Sequence, residues 1–126
     1  MGRSQQRKGR GAELELCRIL NDHGVPAEPG SALCYGSEPD IKGIDGFHIE
    51  VKRHERIEIG KWMEQAERDA QRFGGLPCVF FRRNREEWRV TMPLTAWIEF
   101  YKSWRGGETE CEKWATLTES RPAKEE

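Results

Sequence analysis

The sequence predicts an α/β domain in which helices flank a central mixed β-sheet. Three observations carry this. Two segments with helical apolar spacing, ending at His23 and Phe73, bracket a run that alternates strictly, Phe47 to Arg53. An apolar stretch, Cys78 to Arg82, follows the second helical segment after only Gly74-Gly75-Leu76-Pro77, as a strand returning to a sheet does. Glycine and proline break the chain between these pieces. The resulting order is helix, three strands, helix, two strands, helix.

Each element has its own signal. The first helix is expected from Gly9 or Gly11 to His23, with Ala12, Leu16, Ile19, Leu20 and His23 on one buried face and residues 1–8 as a flexible basic arm. Gly24 stops it, and Pro26 prevents its resumption. Residues 25–39 read as a loop with a short strand near Ser31–Tyr35. Asp40-Ile41-Lys42 and Phe47 to Arg53 form a hairpin across Asp45-Gly46. In its second arm Phe47, Ile49 and Val51 face one way, and His48, Glu50 and Lys52 the other.

The second helix is placed at about Lys61 to Phe73, with Trp62, Met63, Ala66, Ala70 and Phe73 as its stripe. Glu87 to Met92 pairs with Cys78 to Arg82 across a turn at Asn84-Arg85-Glu86. Pro93 opens a third helix whose buried stripe is Leu94, Trp97, Ile98 and Tyr101. Residues 1–104 are read as one domain and 105–126 as a polar, acidic tail.

Composition narrows the class. With 126 residues, 36% hydrophobic and 34% charged, the chain supports one modest core under a heavily charged surface. It lacks an apolar run of membrane-spanning length, and its basic start is followed by no apolar signal segment. Cys17, Cys34, Cys78 and Cys111 are scattered and form no Cys-X-X-Cys pair, so they read as reduced thiols of a cytoplasmic protein rather than zinc ligands. Net charge is −1, yet residues 108–126 hold six Glu against three basic residues. Basic clusters stand elsewhere: Arg3, Arg7, Lys8 and Arg10; Lys52, Arg53 and Arg56; Arg82, Arg83, Arg85 and Arg89. Singly, each is an ordinary solvated face; together, around acidic residues, they make a phosphate footprint.

The acidic residues are Glu13, Asp40 and Glu50. Pro39-Asp40 is followed, after nine residues, by Glu50-Val51-Lys52. Glu50 and Lys52 share a strand face, and the hairpin brings Asp40 back beside Glu50. Two facing carboxylates repel unless something neutralises them. Mg²⁺ does so, because it prefers carboxylate, carbonyl and water oxygens. Glu13 borders the apolar face of the first helix, where a carboxylate is costly unless paired or metal-linked; a salt bridge to Arg10 or Lys52 is the plainer alternative. Lys52 is placed to orient a water or to stabilise charge developing on a phosphate. His48 and His54 share the face of Glu50; the expected role of His48 is a strand-edge histidine near phosphate, with metal ligation as the other option.

These motifs resemble the PD-(D/E)XK nuclease superfamily, and within it the archaeal-type and phage or prophage Holliday junction resolvase branch. Arg7-Lys8-Gly9 with Ala12-Glu13 is similar to that branch's opening helix, Gly30-Ser31 to its Gly-Ser loop, Ile49-Glu50-Val51-Lys52 to its central strand, and Arg72 to Pro77 to its helix–strand junction. The likeness covers about residues 7–100. It implies a restriction-endonuclease-like fold and a homodimer that cleaves branched DNA with Mg²⁺, for which Mn²⁺ can substitute. It implies Asp40, Glu50 and the Val51 carbonyl as metal ligands, Glu13 completing the acidic site, and Lys52 as the catalytic lysine. Arg7, Lys8, Arg10, Ser31, Arg53 and Gln65 are the expected DNA-facing residues. Leu14 and Ala27-Glu28-Pro29 depart from the archaeal pattern, and Ser37 competes with Ser31 for the loop serine. The alternatives are a flap, nick or duplex endonuclease, and a non-catalytic DNA-binding module. Phe100 and Trp104, off the stripe of the third helix, are expected at a dimer interface.

Overall fold

The computed structural model describes residues 2–30 and 38–106, with side chains from residue 9 onward. The elements are α1 (Gly2–Asp22), β1 (Glu28–Pro29), β2 (Ile41–Lys42), β3 (Phe47–Arg53), α2 (Ile59–Phe73), β4 (Leu76–Arg82), β5 (Arg89–Thr91) and α3 (Leu94–Gly106). Two compact units divide the chain, Met1–Pro93 and Leu94–Glu126.

The first unit holds one five-stranded mixed sheet in the order β1-β2-β3-β4-β5. The β3–β4 pair is parallel, as the intervening helix α2 requires, and the other pairs are antiparallel. The predicted α/β architecture and element order are those observed. The first strand, however, is Glu28–Pro29; the expected strand at Ser31–Tyr35 lies outside the described residues.

Alternation along β3 and β4 splits the core into two layers. On one face Ile49, Val51 and Cys78 pack with Ala12, Leu16 and Cys17 of α1, Ala27 and Ile41. On the other, Val79 and Phe81 pack with Trp62 and Ala66 of α2. His48, Glu50 and Lys52 therefore look toward α2, and β3 is buried on both faces over residues 48–51. Both described cysteines, Cys17 and Cys78, are free and buried.

Several expectations need correction. α1 starts at Gly2, not at Gly9 or Gly11, so the expected flexible arm is helical. Good helix formers at Gln5, Gln6, Arg7 and Lys8 offset two interior glycines costing about 1 kcal/mol each. The buried face of α1 is Ala12, Leu16 and Cys17, whereas Ile19 and His23 are exposed. Phe73 is exposed at the end of α2. In the second unit, the stripe expected to be buried is open: Leu94 is 71% exposed and Trp97 47%, with Ile98 and Tyr101 also exposed. Trp97 and Tyr101 stack on each other at 5.3 Å and Tyr101 reaches Trp104 at 5.9 Å, so the aromatics form a ladder along α3.

Two glycines set the geometry around β3. Gly75, at φ 91°, ends the α2–β4 loop where an added Cβ would lie 2.8 Å from the Phe47 backbone. Gly30 donates its N–H to the Asp40 carbonyl at 2.7 Å, and a Cβ there would lie 2.5 Å from the Pro39 oxygen. Only glycine allows β1 to approach Pro39-Asp40 so closely.

Candidate active site

The site assembles around the middle of β3. The register Ile41↔Ile49 sets Asp40 across from Glu50, and the Asp40 N–H donates to the Ile49 carbonyl at 2.8 Å. In return, Asp40 Oδ2 accepts the Val51 N–H at 2.7 Å. Asp40 and Glu50 are also hydrogen-bonded to each other through their carboxyl groups. Two residues along the strand, Lys52 Nζ donates to Gln65 Oε1 of α2 at 2.9 Å.

Glu13 reaches this group from α1. It pairs with Arg10 Nη1 at 3.5 Å, and Arg10 Nη1 also donates to the Gly30 carbonyl at 2.7 Å. The plainer reading of Glu13, a bond to Arg10, is thus real geometry. The Asp40 carboxylate nevertheless acts on Glu13 through space.

Electrostatics mark these acids as strained when ionised. Burial, and then the Asp40 charge, push Glu13 up to about 7 against the pull of Arg10. Burial is the main cause that raises Asp40, opposed by the Val51 N–H, the Glu50 hydrogen bond and Lys52. Glu50 is raised as well, by burial and then by the Asp40 charge beside it. A divalent cation among these oxygens would remove the penalty that burial and mutual repulsion impose. The donor set, hard carboxylate oxygens gathered at the middle of β3, fits such an ion.

Behind Glu50 lies a second group, for which the sequence reading offered His48 as an optional metal ligand but missed Asp69. His48 Nε2 stands 3.0 Å from Glu50 Oε1, and both side chains are buried. Asp69 of α2 is buried as well, and one ligand atom from each of His48, Glu50 and Asp69 lies within 4.8 Å of the others. His48 is therefore not a strand-edge residue: β3 is central in the sheet, and burial lowers the imidazole pKa. Asp69 was legible in principle, as an acid inside the apolar stripe Trp62, Ala66, Ala70.

The predicted DNA-facing residues are scattered more widely. Arg10 serves Glu13 and Gly30. Arg53 Nε donates to Asn84 Oδ1 at 3.1 Å on the surface, and Gln65 is half-buried against Lys52. Arg7 and Lys8 lie on α1, but their side chains, like Ser31, Ser37 and the tail, fall outside the described residues. Arg82 leaves the expected basic surface. It is buried, forms a two-pronged bond to Glu15, from Nε to Oε2 at 3.1 Å and from Nη2 to Oε1 at 2.9 Å, and lies 5.3 Å over the Trp88 ring.

Residues 4–122 match the family described as "Phage putative PDDEXK endonuclease". The chain belongs to this PDDEXK endonuclease family. PDDEXK nucleases generally use divalent metals. The chain is also similar to the solved structure of Hjc, a Holliday junction resolvase of the archaeal hyperthermophile Archaeoglobus fulgidus. Identity is 26%, covering 67% of this chain and 76% of that one, at a TM-score of 0.49. Among curated proteins, none matches. No helix among the described residues is long and apolar enough to cross a membrane.

Proposed function

We propose that this PDDEXK protein is a Mg²⁺-dependent endonuclease that hydrolyses phosphodiester bonds in branched DNA, with four-way junctions as its substrate. The observation that carries the chemistry is the bond from Val51 N–H to Asp40 Oδ2 beside the Asp40–Glu50 pair. It holds two carboxylates together on one rigid hairpin, two residues from Lys52. Asp40, Glu50 and the Val51 carbonyl would hold the ion, with Glu13 completing the acidic shell. A Mg²⁺ held there would supply Lewis acidity toward a scissile phosphate and a lowered pKa for a coordinated water. Lys52 would orient the attacking water or stabilise the phosphorane charge, and Gln65, accepting from Nζ, keeps the lysine in place.

Branched DNA as substrate rests on the resolvase-like stretches at residues 7–13, 30–31 and 72–77. Arg7, Lys8, Arg10, Ser31 and Arg53 are proposed to face the backbone. A homodimer built through Phe100 and Trp104 would present two such sites to one junction.

The deciding experiment incubates a labelled four-way junction and a linear duplex of the same sequence with Mg²⁺. Preferential junction cleavage that disappears in Asp40→Ala supports the proposal. Equal cleavage of duplex makes it a general endonuclease, and binding without cleavage in both Mg²⁺ and Mn²⁺ makes it a DNA-binding module.

A further inference from the structure

We infer that His48, Glu50 and Asp69 form a second metal site, behind the proposed catalytic one, which takes a first-row transition-metal dication such as Mn²⁺ or Zn²⁺. The three residues sit on rigid elements, two on the central strand β3 and one on α2. All three are nearly fully buried, at 1%, 2% and 4% exposure. Their candidate ligand atoms lie within 4.8 Å of one another. Ligands on opposite sides of one such ion stand roughly 4 Å apart, so small side-chain rotations suffice.

A second observation points to a missing occupant. His48 Nδ1 is buried and has no hydrogen-bond partner, although buried imidazole nitrogens are ordinarily satisfied. Charge argues the same way. Glu50 and Asp69 bring two carboxylates into this interior. The cation beside Asp69 is Arg68, 3.5 Å from Oδ1 on a side chain that is 74% exposed. Lys52, on the other side of Glu50, is engaged by Gln65. An ion between the imidazole and the two acids compensates both carboxylates where exposed Arg68 does so weakly.

The donor set selects the metal. Imidazole nitrogen favours Mn²⁺, Zn²⁺ and their neighbours over Mg²⁺, whose preference is for oxygen alone. The site shares Glu50 with the catalytic proposal but does not depend on Asp40. An ion here would pin the Glu50 carboxylate and tie β3 to α2.

The test loads the full-length, chelator-stripped protein with Mn²⁺. It counts bound equivalents by calorimetry and reads nitrogen coordination from the ¹⁴N coupling in pulsed electron paramagnetic resonance. The parent is expected to bind an ion with a nitrogen ligand. Asp69→Asn should weaken that ion at least about 10-fold, and His48→Gln should abolish the nitrogen coupling. Circular dichroism confirms that each variant is folded; should His48→Gln fail to fold, Asp69→Asn carries the test. Asp40→Asn should keep the nitrogen-coupled ion while losing the other equivalent, which separates this site from the catalytic reading. Absence of nitrogen coupling in the parent, or unchanged affinity in Asp69→Asn, overturns the inference.

Discussion

Asp40 Oδ2 accepts the backbone N–H of Val51 at 2.7 Å, so the first acid of the signature is clamped to the strand that carries the second. The bond spans eleven positions of sequence and closes the hairpin at the point where charge is concentrated. It makes the separation of Asp40 from Glu50 a property of the sheet rather than of two mobile side chains. Such preorganisation is what positioning around a reacting phosphate demands.

The same logic extends to Lys52 and Gln65. Gln65→Leu removes the acceptor at 2.9 Å from Nζ without adding charge. Turnover should fall by about 10- to 100-fold through misplacement of the lysine, with the melting temperature nearly unchanged. Gln65→Glu, which keeps an acceptor, should retain more activity than Gln65→Leu. Single-turnover cleavage rates check this, and equal rates in all three proteins would refute the positioning role.

Glu13 predicts a sign for pH. Its carboxyl moves from 4.5 to about 7 on folding, so the folded protein binds that proton more tightly. The stabilisation is complete below about 4.5 and is lost as pH rises through about 7. Glu13→Gln stays neutral throughout. It should therefore gain stability over the parent as pH rises across this window without metal, and the gain should shrink when Mg²⁺ is added. Parallel thermal melts over the range would show it; a constant difference between the two proteins would contradict it.

Arg82 was expected on a phosphate-binding surface, but its two-pronged bond to Glu15 makes it structural. Glu15 is 39% exposed, which tempers the cost of losing it. Glu15→Ala should destabilise the fold by about 1–3 kcal/mol in urea titration, chiefly by leaving a buried guanidinium without its carboxylate. DNA affinity should hold, since Arg82 does not face the solvent.

Gly30→Ala tests the approach of β1 to the acidic hairpin. The added methyl meets the Pro39 oxygen at 2.5 Å, so Pro39-Asp40 must move. A loss of about 1–3 kcal/mol is expected, together with reduced cleavage. Gly60→Ala meets nothing within 4 Å and sits in α2. It should gain up to about 1 kcal/mol from helix propensity. Equal effects of the two substitutions in denaturation and cleavage assays would rule out a local role for Gly30.

Much of the fold was legible because its signals are local. Helical spacing at Ala12 and Leu16, alternation from Phe47 to Arg53, and Gly74-Gly75 before Pro77 each report on backbone geometry within one element. The misses share a cause. The apolar stripe Leu94, Trp97, Ile98 and Tyr101 says that one face of α3 is apolar, but periodicity carries no information about whether anything covers it. Arg82 and Glu15 are 67 positions apart, so their pairing has no local trace. His48 was read from strand alternation, which gives the face of a side chain but not that Asp69 of α2 encloses it there.

By itself, then, the sequence determined the element order, the two faces of β3, and the presence of two acids and a lysine at spacings that a hairpin can bring together. These follow from backbone periodicities of 2 and 3.6 and from turn chemistry. The tertiary structure alone decided that α2 lies over Glu50, bringing Gln65 to Lys52 and Asp69 to His48, and that Arg82 turns inward to Glu15. Those pairings depend on which elements pack together, and burial then sets the charge state of each group they enclose.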